Sequence, residues 1–132
     1  MKRLGLAVSV TILVMAFLSG CGSTKSADTP DAVIARVMEE CRTGAYEQAA
    51  RRFEGGEALW KSDPQWVESY LNRICASGEA QSYEVKDRLE RSESVVLVQL
   101  TTYKQPDKTE GIRTMTWHFE RDGAGWLITK VE

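Results

Sequence analysis

The side chains able to do proton chemistry are few, and Asp87 is the first of them. In YEVKDRL, residues 83–89, it keeps a two-residue phase with Tyr83, Val85 and Leu89, the apolar side of an alternating strand. A carboxylate turned toward packed helices loses water, and desolvation raises its pKa toward what a general base needs. A strand-edge Asp with Arg88 beside it satisfies the same pattern. His118 is the single histidine, the residue type whose unperturbed charge change falls near neutral pH. Its phase sets it with Thr116 and Glu120 opposite Trp117, where a solvated role is expected. No nucleophile motif is present: Ser69 and Ser77 lack elbow glycines, and FEGGEALW lacks the lysine of a phosphate loop.

Three cysteines carry the other reactive chemistry. Cys21 follows an apolar run, Leu4 to Leu18, preceded by Lys2 and Arg3. As a helix that run rises roughly 22 Å, short of the roughly 30 Å of a bilayer's hydrocarbon core. A basic start, a short apolar centre and small residues at the exit predict a secretory signal. Leu18-Ser19-Gly20-Cys21 resembles the lipobox of bacterial lipoproteins. That resemblance implies cleavage before Cys21 and acyl chains, palmitate among them, on its sulfur and new amine. It implies a membrane partner and a cell-envelope location facing the periplasm. Gly22, rather than Asp, favours the outer membrane, or the outer face of the cell membrane in a single-membrane bacterium. Cys41 and Cys75 lie on apolar helix faces, and either a disulfide or two buried thiols satisfies them. With one histidine in the chain no zinc cage is expected, and no metal or cofactor is called for.

The aromatic residues point to binding. Trp117 and Trp126 match the core face of a sheet. Trp60 sits in a segment without clear periodicity, between Gly55-Gly56 and Asp63, and Trp66 stands on the first turn of a helix. With Met115 they are candidates to line a pocket mouth or a partner patch.

The elements that must position these residues read clearly. Thr29-Pro30-Asp31 starts a helix, with Ile34, Val37, Met38 and Cys41 on one stripe and Gly44 as its stop. Tyr46, Ala49, Ala50 and Phe53 predict a second short helix, ended by Gly55-Gly56. Asp63-Pro64 opens a third, with Val67, Tyr70, Leu71, Ile74 and Cys75 as its apolar face and Gly78 beyond. Four strands follow: YEVKDRL, SVVLVQLTTY, IRTMTWHFE and GWLITKV, the last two joined by Asp122-Gly123. Helices then adjacent strands predict an α+β fold, with helices packed on one face of an antiparallel sheet. Three units are expected: a signal over 1–20, the lipidated cysteine and a small polar tether over 21–29, and one domain over 30–132. The formal net charge is −2 and becomes −4 once Lys2 and Arg3 leave with the signal, which excludes a nucleic-acid binder.

The element order, with TGAYEQAARRF after the first helix and WHFERDGAGWLITKVE at the end, resembles the nuclear transport factor 2-like superfamily. Within it the nearest likeness is to small bacterial lipoproteins carrying a lumazine-binding-like domain of unknown function. The resemblance implies a cystatin-like cone, a curved sheet wrapped on helices with a pocket at its wide end. Enzymes of that superfamily, isomerases and dehydratases, set a base beside acids that stabilise an oxyanion. Asp87 with Tyr46, Tyr70 or Tyr83 would have to supply these. The leading expectation is a non-catalytic domain that binds a small apolar ligand or a protein. The alternatives are that pocket enzyme, or a periplasmic interaction or immunity protein. A weak homodimer through Thr114, Thr116, His118 and Glu120 on the outer sheet face is a further expectation.

Overall fold

The computed structural model describes residues 29–132. Four helices precede four strands: α1 (Pro30–Thr43), α2 (Tyr46–Ala50), α3 (Gly56–Ser62), α4 (Pro64–Cys75), β1 (Ser82–Ser92), β2 (Val95–Tyr103), β3 (Gly111–Asp122) and β4 (Gly125–Val131). The fold is α+β, with the helices on one face of a curved antiparallel meander ordered β1-β2-β3-β4.

The helix starts follow from capping chemistry. Thr29 Oγ1 accepts from Ala32 N at 3.2 Å and Asp63 Oδ1 from Trp66 N at 3.1 Å, each just before a proline that lacks the orphan donor. Gly44 ends α1 at φ 79°, the left-handed conformation that costs glycine nothing. The second helix is shorter than its spacing predicts. It stops at Ala50, and the chain then runs beside β4, where Phe53 pairs with Ile128 in a parallel bridge. The segment holding Trp60 is itself a helix, α3. A β-carbon on Gly56 would lie 1.8 Å from the Ala50 carbonyl oxygen, so packing on the preceding turn depends on the missing side chain.

Between the layers lie Ile34, Val37, Leu71, Val98, Leu100, Trp117, Phe119 and Ile128, all essentially without solvent contact. The stripes of α1 and α4 and the even positions of β2 supply most of this core. Cys41 and Cys75 are disulfide-bonded, with Cα atoms 6.5 Å apart. The bridge ties the C-terminal ends of α1 and α4 together. Closing a loop of 34 positions contributes roughly 3–4 kcal/mol in the chain-entropy model.

Register breaks at four places give the sheet its curvature: Val85/Asp87, Glu90/Ser92, Thr102/Tyr103 and His118/Phe119. The first of these reverses an expectation. Val85 pairs with the buried Leu100, but after Lys86 bulges out Asp87 pairs with the exposed Gln99 and Arg88 with the buried Val98. Cross-strand partners share a face, so beyond the bulge Asp87 and Leu89 lie on the outer side and Arg88 on the helix side.

Candidate functional site

A cleft of about 1140 Å³ opens between the C-terminal half of α1, the end of α4 and the start of β1. Met38 and the Cys41–Cys75 pair give it an apolar wall, and Tyr46, Asn72, Ser77, Gln81, Ser82 and Tyr83 supply hydroxyls and amides. The tight turn at Gly44 lets α2 begin at once, so Tyr46 faces α4 and its phenol donates to Asn72 Oδ1 at 2.7 Å. That leaves the Asn72 amide nitrogen as a donor. The buried Ser77 Oγ has no hydrogen-bond partner. Tyr83 is half-buried, and its phenol pKa is raised, first by lost hydration and then by the negative charge of Asp31. Its hydroxyl therefore stays protonated and able to donate through neutral pH.

Two charged residues line the cleft, Glu39 and Arg42, and they satisfy each other. Arg42 Nε donates to Glu39 Oε2 at 2.8 Å and Nη2 to Oε1 at 2.5 Å. The Glu39 carboxyl is held below its ordinary range by that bond, and the Arg42 guanidinium is raised. The two charges in the walls thus cancel, and the walls are neutral overall.

The side chains expected to form a catalytic set are scattered. Tyr46 and Tyr83 share the cleft, but Tyr70 lies in a different depression. Asp87, on the outer side of β1, is exposed and accepts from Arg88 N at 2.8 Å. The bulge at Lys86 is the physical reason: one extra residue turned the carboxylate from the helix layer to the solvent. Arg88 takes the helix side instead and reaches Asp31 in the first turn of α1, where the two form an ion pair.

The second depression holds about 180 Å³ against β4 and is lined by Phe53, Leu59, Trp66, Tyr70, Ile128 and Lys130, among others. Trp66 is 50% exposed and stacks on Tyr70, with ring centres 5.3 Å apart. The Arg73 guanidinium caps the other end of this ladder, 5.4 Å from the Tyr70 ring centre. Burial raises the Tyr70 phenol pKa while Arg73 opposes the rise. Of the expected patch, Trp66 lies at this opening. Met115 is instead in the core, opposite Leu100, and Trp60 packs half-buried against the same core. Trp126 sits at the sheet margin under Arg121, whose guanidinium is 4.5 Å from its ring centre.

The outer sheet face is less polar than β3 alone predicts. Leu89, Leu97, His118 and Lys130 form one cross-strand row, and Val95, Glu120 and Leu127 the next. Leu89 is 53% exposed. Thr101 and Thr114 share a hydroxyl bond of 2.8 Å, and His118 Nε2 lies 2.8 Å from Glu132 Oε1. The Glu132 carboxyl is held below its ordinary range, first by Lys130 and then by His118. Among the described residues no group of three or more His, Cys, Asp or Glu is placed to hold a metal. Among them, too, no helix is long and apolar enough to cross a membrane. The expected signal and the expected lipidation of Cys21 fall outside the described residues.

No family model matches the chain, and no curated protein matches it. Among solved structures it is similar to the solution structure of RPA3114, a SEC-C motif-containing protein from Rhodopseudomonas palustris. The TM-score is 0.56 at 10% identity, over 79% of this chain and 77% of that one. At that identity the likeness shows the fold alone. It also corrects the family assignment: the nuclear transport factor 2-like and lumazine-binding-like resemblance is replaced by a neighbour of another description. The motifs behind that assignment, a Gly-x-Tyr step and Trp126 two residues before Ile128, meet local demands of a turn and a core strand. Unrelated helix-on-sheet domains share such demands.

Proposed function

We propose that residues 29–132 are a non-catalytic binding domain that works outside the inner membrane, held to lipid through Cys21. The observation that carries this reading is the cleft between α1 and β1, large, rigidly stapled and lined by neutral hydrogen-bonding groups. Sites for acid–base work push paired titratable groups apart in pKa, and here the carboxylate nominated for the base lies on the opposite side of the sheet. The Cys41–Cys75 bridge supports an oxidising compartment, since such bonds persist where thiols are not kept reduced. The apolar run Leu4 to Leu18, with Cys21 three residues beyond it, supports a lipid anchor, because two or more acyl chains on such a cysteine would hold the protein firmly to a bilayer.

The full chain tests both halves of the proposal. The Cys21 peptide is expected to carry diacyl mass, and Cys21→Ser to leave the membrane fraction; a Cys21→Ser protein still in lipid overturns the anchor. Native mass spectra of the purified protein should show retained small-molecule mass, released by Ala35→Trp, whose indole would occupy the cleft. Retention that ignores this change removes the cleft from the function.

A second reading has its own observation. The exposed Trp66–Tyr70 stack over a slot the size of one side chain has the make-up of a protein–protein anchor point. A partner whose affinity collapses in Trp66→Ala, with the cleft variants silent, would favour it.

A further inference from the structure

The walls of the α1–β1 cleft define the chemistry of what they can hold. A charged ligand would bury its charge with no counter-ion, because Glu39 and Arg42 are closed on each other. A purely apolar ligand would cover the Asn72 amide and the Tyr83 hydroxyl without replacing their hydrogen bonds with water. The volume exceeds the roughly 300–1,000 Å³ of ordinary small-molecule pockets, so it suits a ligand of several linked units.

A peptide strand added to the edge of β1 would meet the size requirement. The edge itself resists it: Lys86 bulges out after four residues, and Arg88, Glu90 and Arg91 follow. Bulges and charges are what block strand addition. Sugar units need no backbone ladder. Their hydroxyls both donate and accept, and their carbon faces pack on aromatic rings, here Tyr46 and Tyr83.

We propose that this cleft binds an uncharged oligosaccharide, with Asn72 and Tyr83 as its hydrogen-bonding contacts and the Tyr46 and Tyr83 rings as its stacking surfaces. The inference rests on the reading of the domain as a binding module and names its ligand class.

The test uses the full chain in micelles of a detergent without a sugar headgroup. Two neutral probes, N-acetylated chitotriose and amide-free maltotriose, are titrated while backbone amide signals are followed. At least one should give saturable shifts centred on Asn72, Ser82 and Tyr83, and Tyr83→Phe should weaken its Kd roughly tenfold, the scale of one lost hydrogen bond. Asn72→Ala, at a different contact, should weaken it in the same direction, so misfolding of one variant does not decide the matter. No saturable shift from either sugar overturns the proposal, as do shifts confined to the Trp66 slot. An uncharged pentapeptide that shifts the β1 edge where both sugars fail overturns it in favour of strand addition. Retained cleft mass in native spectra with no sugar binding sinks the sugar assignment alone. Loss of both removes the binding reading as well.

Discussion

The two flanks of the sheet start from similar material and end differently. At the β4 flank the chain after α2 folds over the strand: Ile128 N donates to Arg52 O and Glu54 N to Ile128 O, both at 2.9 Å. Gly56 then lets α3 sit tightly on Ala50, and about 180 Å³ remains open. At the β1 flank no segment among the described residues covers the edge. α1 meets β1 through the Asp31–Arg88 pair, the disulfide fixes α1 to α4, and a sixfold larger cleft stays open between them. Glycine without a side chain and a few backbone hydrogen bonds close one flank. A cross-link that fixes a helix without filling the space beneath it keeps the other open.

Breaking the cross-link should have the largest effect. Replacing Cys41 and Cys75 together by Ala is expected to lower stability by roughly 3–4 kcal/mol, read from urea unfolding under non-reducing conditions. If the midpoint hardly moves, the bridge does not hold the open flank. Gly56→Ala attacks the closed flank. A methyl group against the Ala50 carbonyl forces the backbone apart, at a cost of about 2–3 kcal/mol in the same assay. An unchanged melting curve would show that α3 does not depend on this contact.

The ion pair between α1 and β1 matters less. Both side chains are about two-fifths exposed, so Arg88→Ala should cost about 1 kcal/mol or less and lose its effect in high salt. A larger, salt-independent loss would mean Arg88 supports the cleft by packing.

The finest comparison lies in the two raised phenols, Tyr83 in the cleft and Tyr70 beside the slot. Their folded pKa values exceed the unfolded ones, so their stabilisation is complete below the unfolded value and is lost as pH rises through the folded one. Phenolate absorbance should place both transitions on the alkaline side of an unfolded control. Asp31→Asn should bring Tyr83 down, whereas Arg73→Gln should carry Tyr70 further up. Shifts in the opposite directions would remove these charges as causes.

Much of this architecture was written in local patterns. Thr29-Pro30, Asp63-Pro64, the stripe from Ile34 to Cys41 and the alternation Met115, Trp117, Phe119 each depend on neighbours a few residues away. They gave helices, strands and the sheet's core face directly. The candidate site was less legible. Tyr46 and Tyr83 were singled out, but Asn72, which shares their cleft, carries no signal in the chain beyond its position near the end of a helix, and Ser77 was weighed only as a nucleophile. Tyr70 was grouped with them although it lies on the other flank.

What the sequence determined by itself is what a turn of helix or a two-residue strand repeat can encode, because those energies are settled within a few residues. The tertiary structure decided the rest. The bulge at Lys86, which sent Asp87 outward and Arg88 inward, is fixed by pairing with β2, twelve or more residues away. The Cys41–Cys75 bond and the strap of Arg52 to Glu54 along β4 need two distant segments to meet. A cleft is the space left by such meetings, so its walls belong to the packed molecule and not to any stretch of the chain.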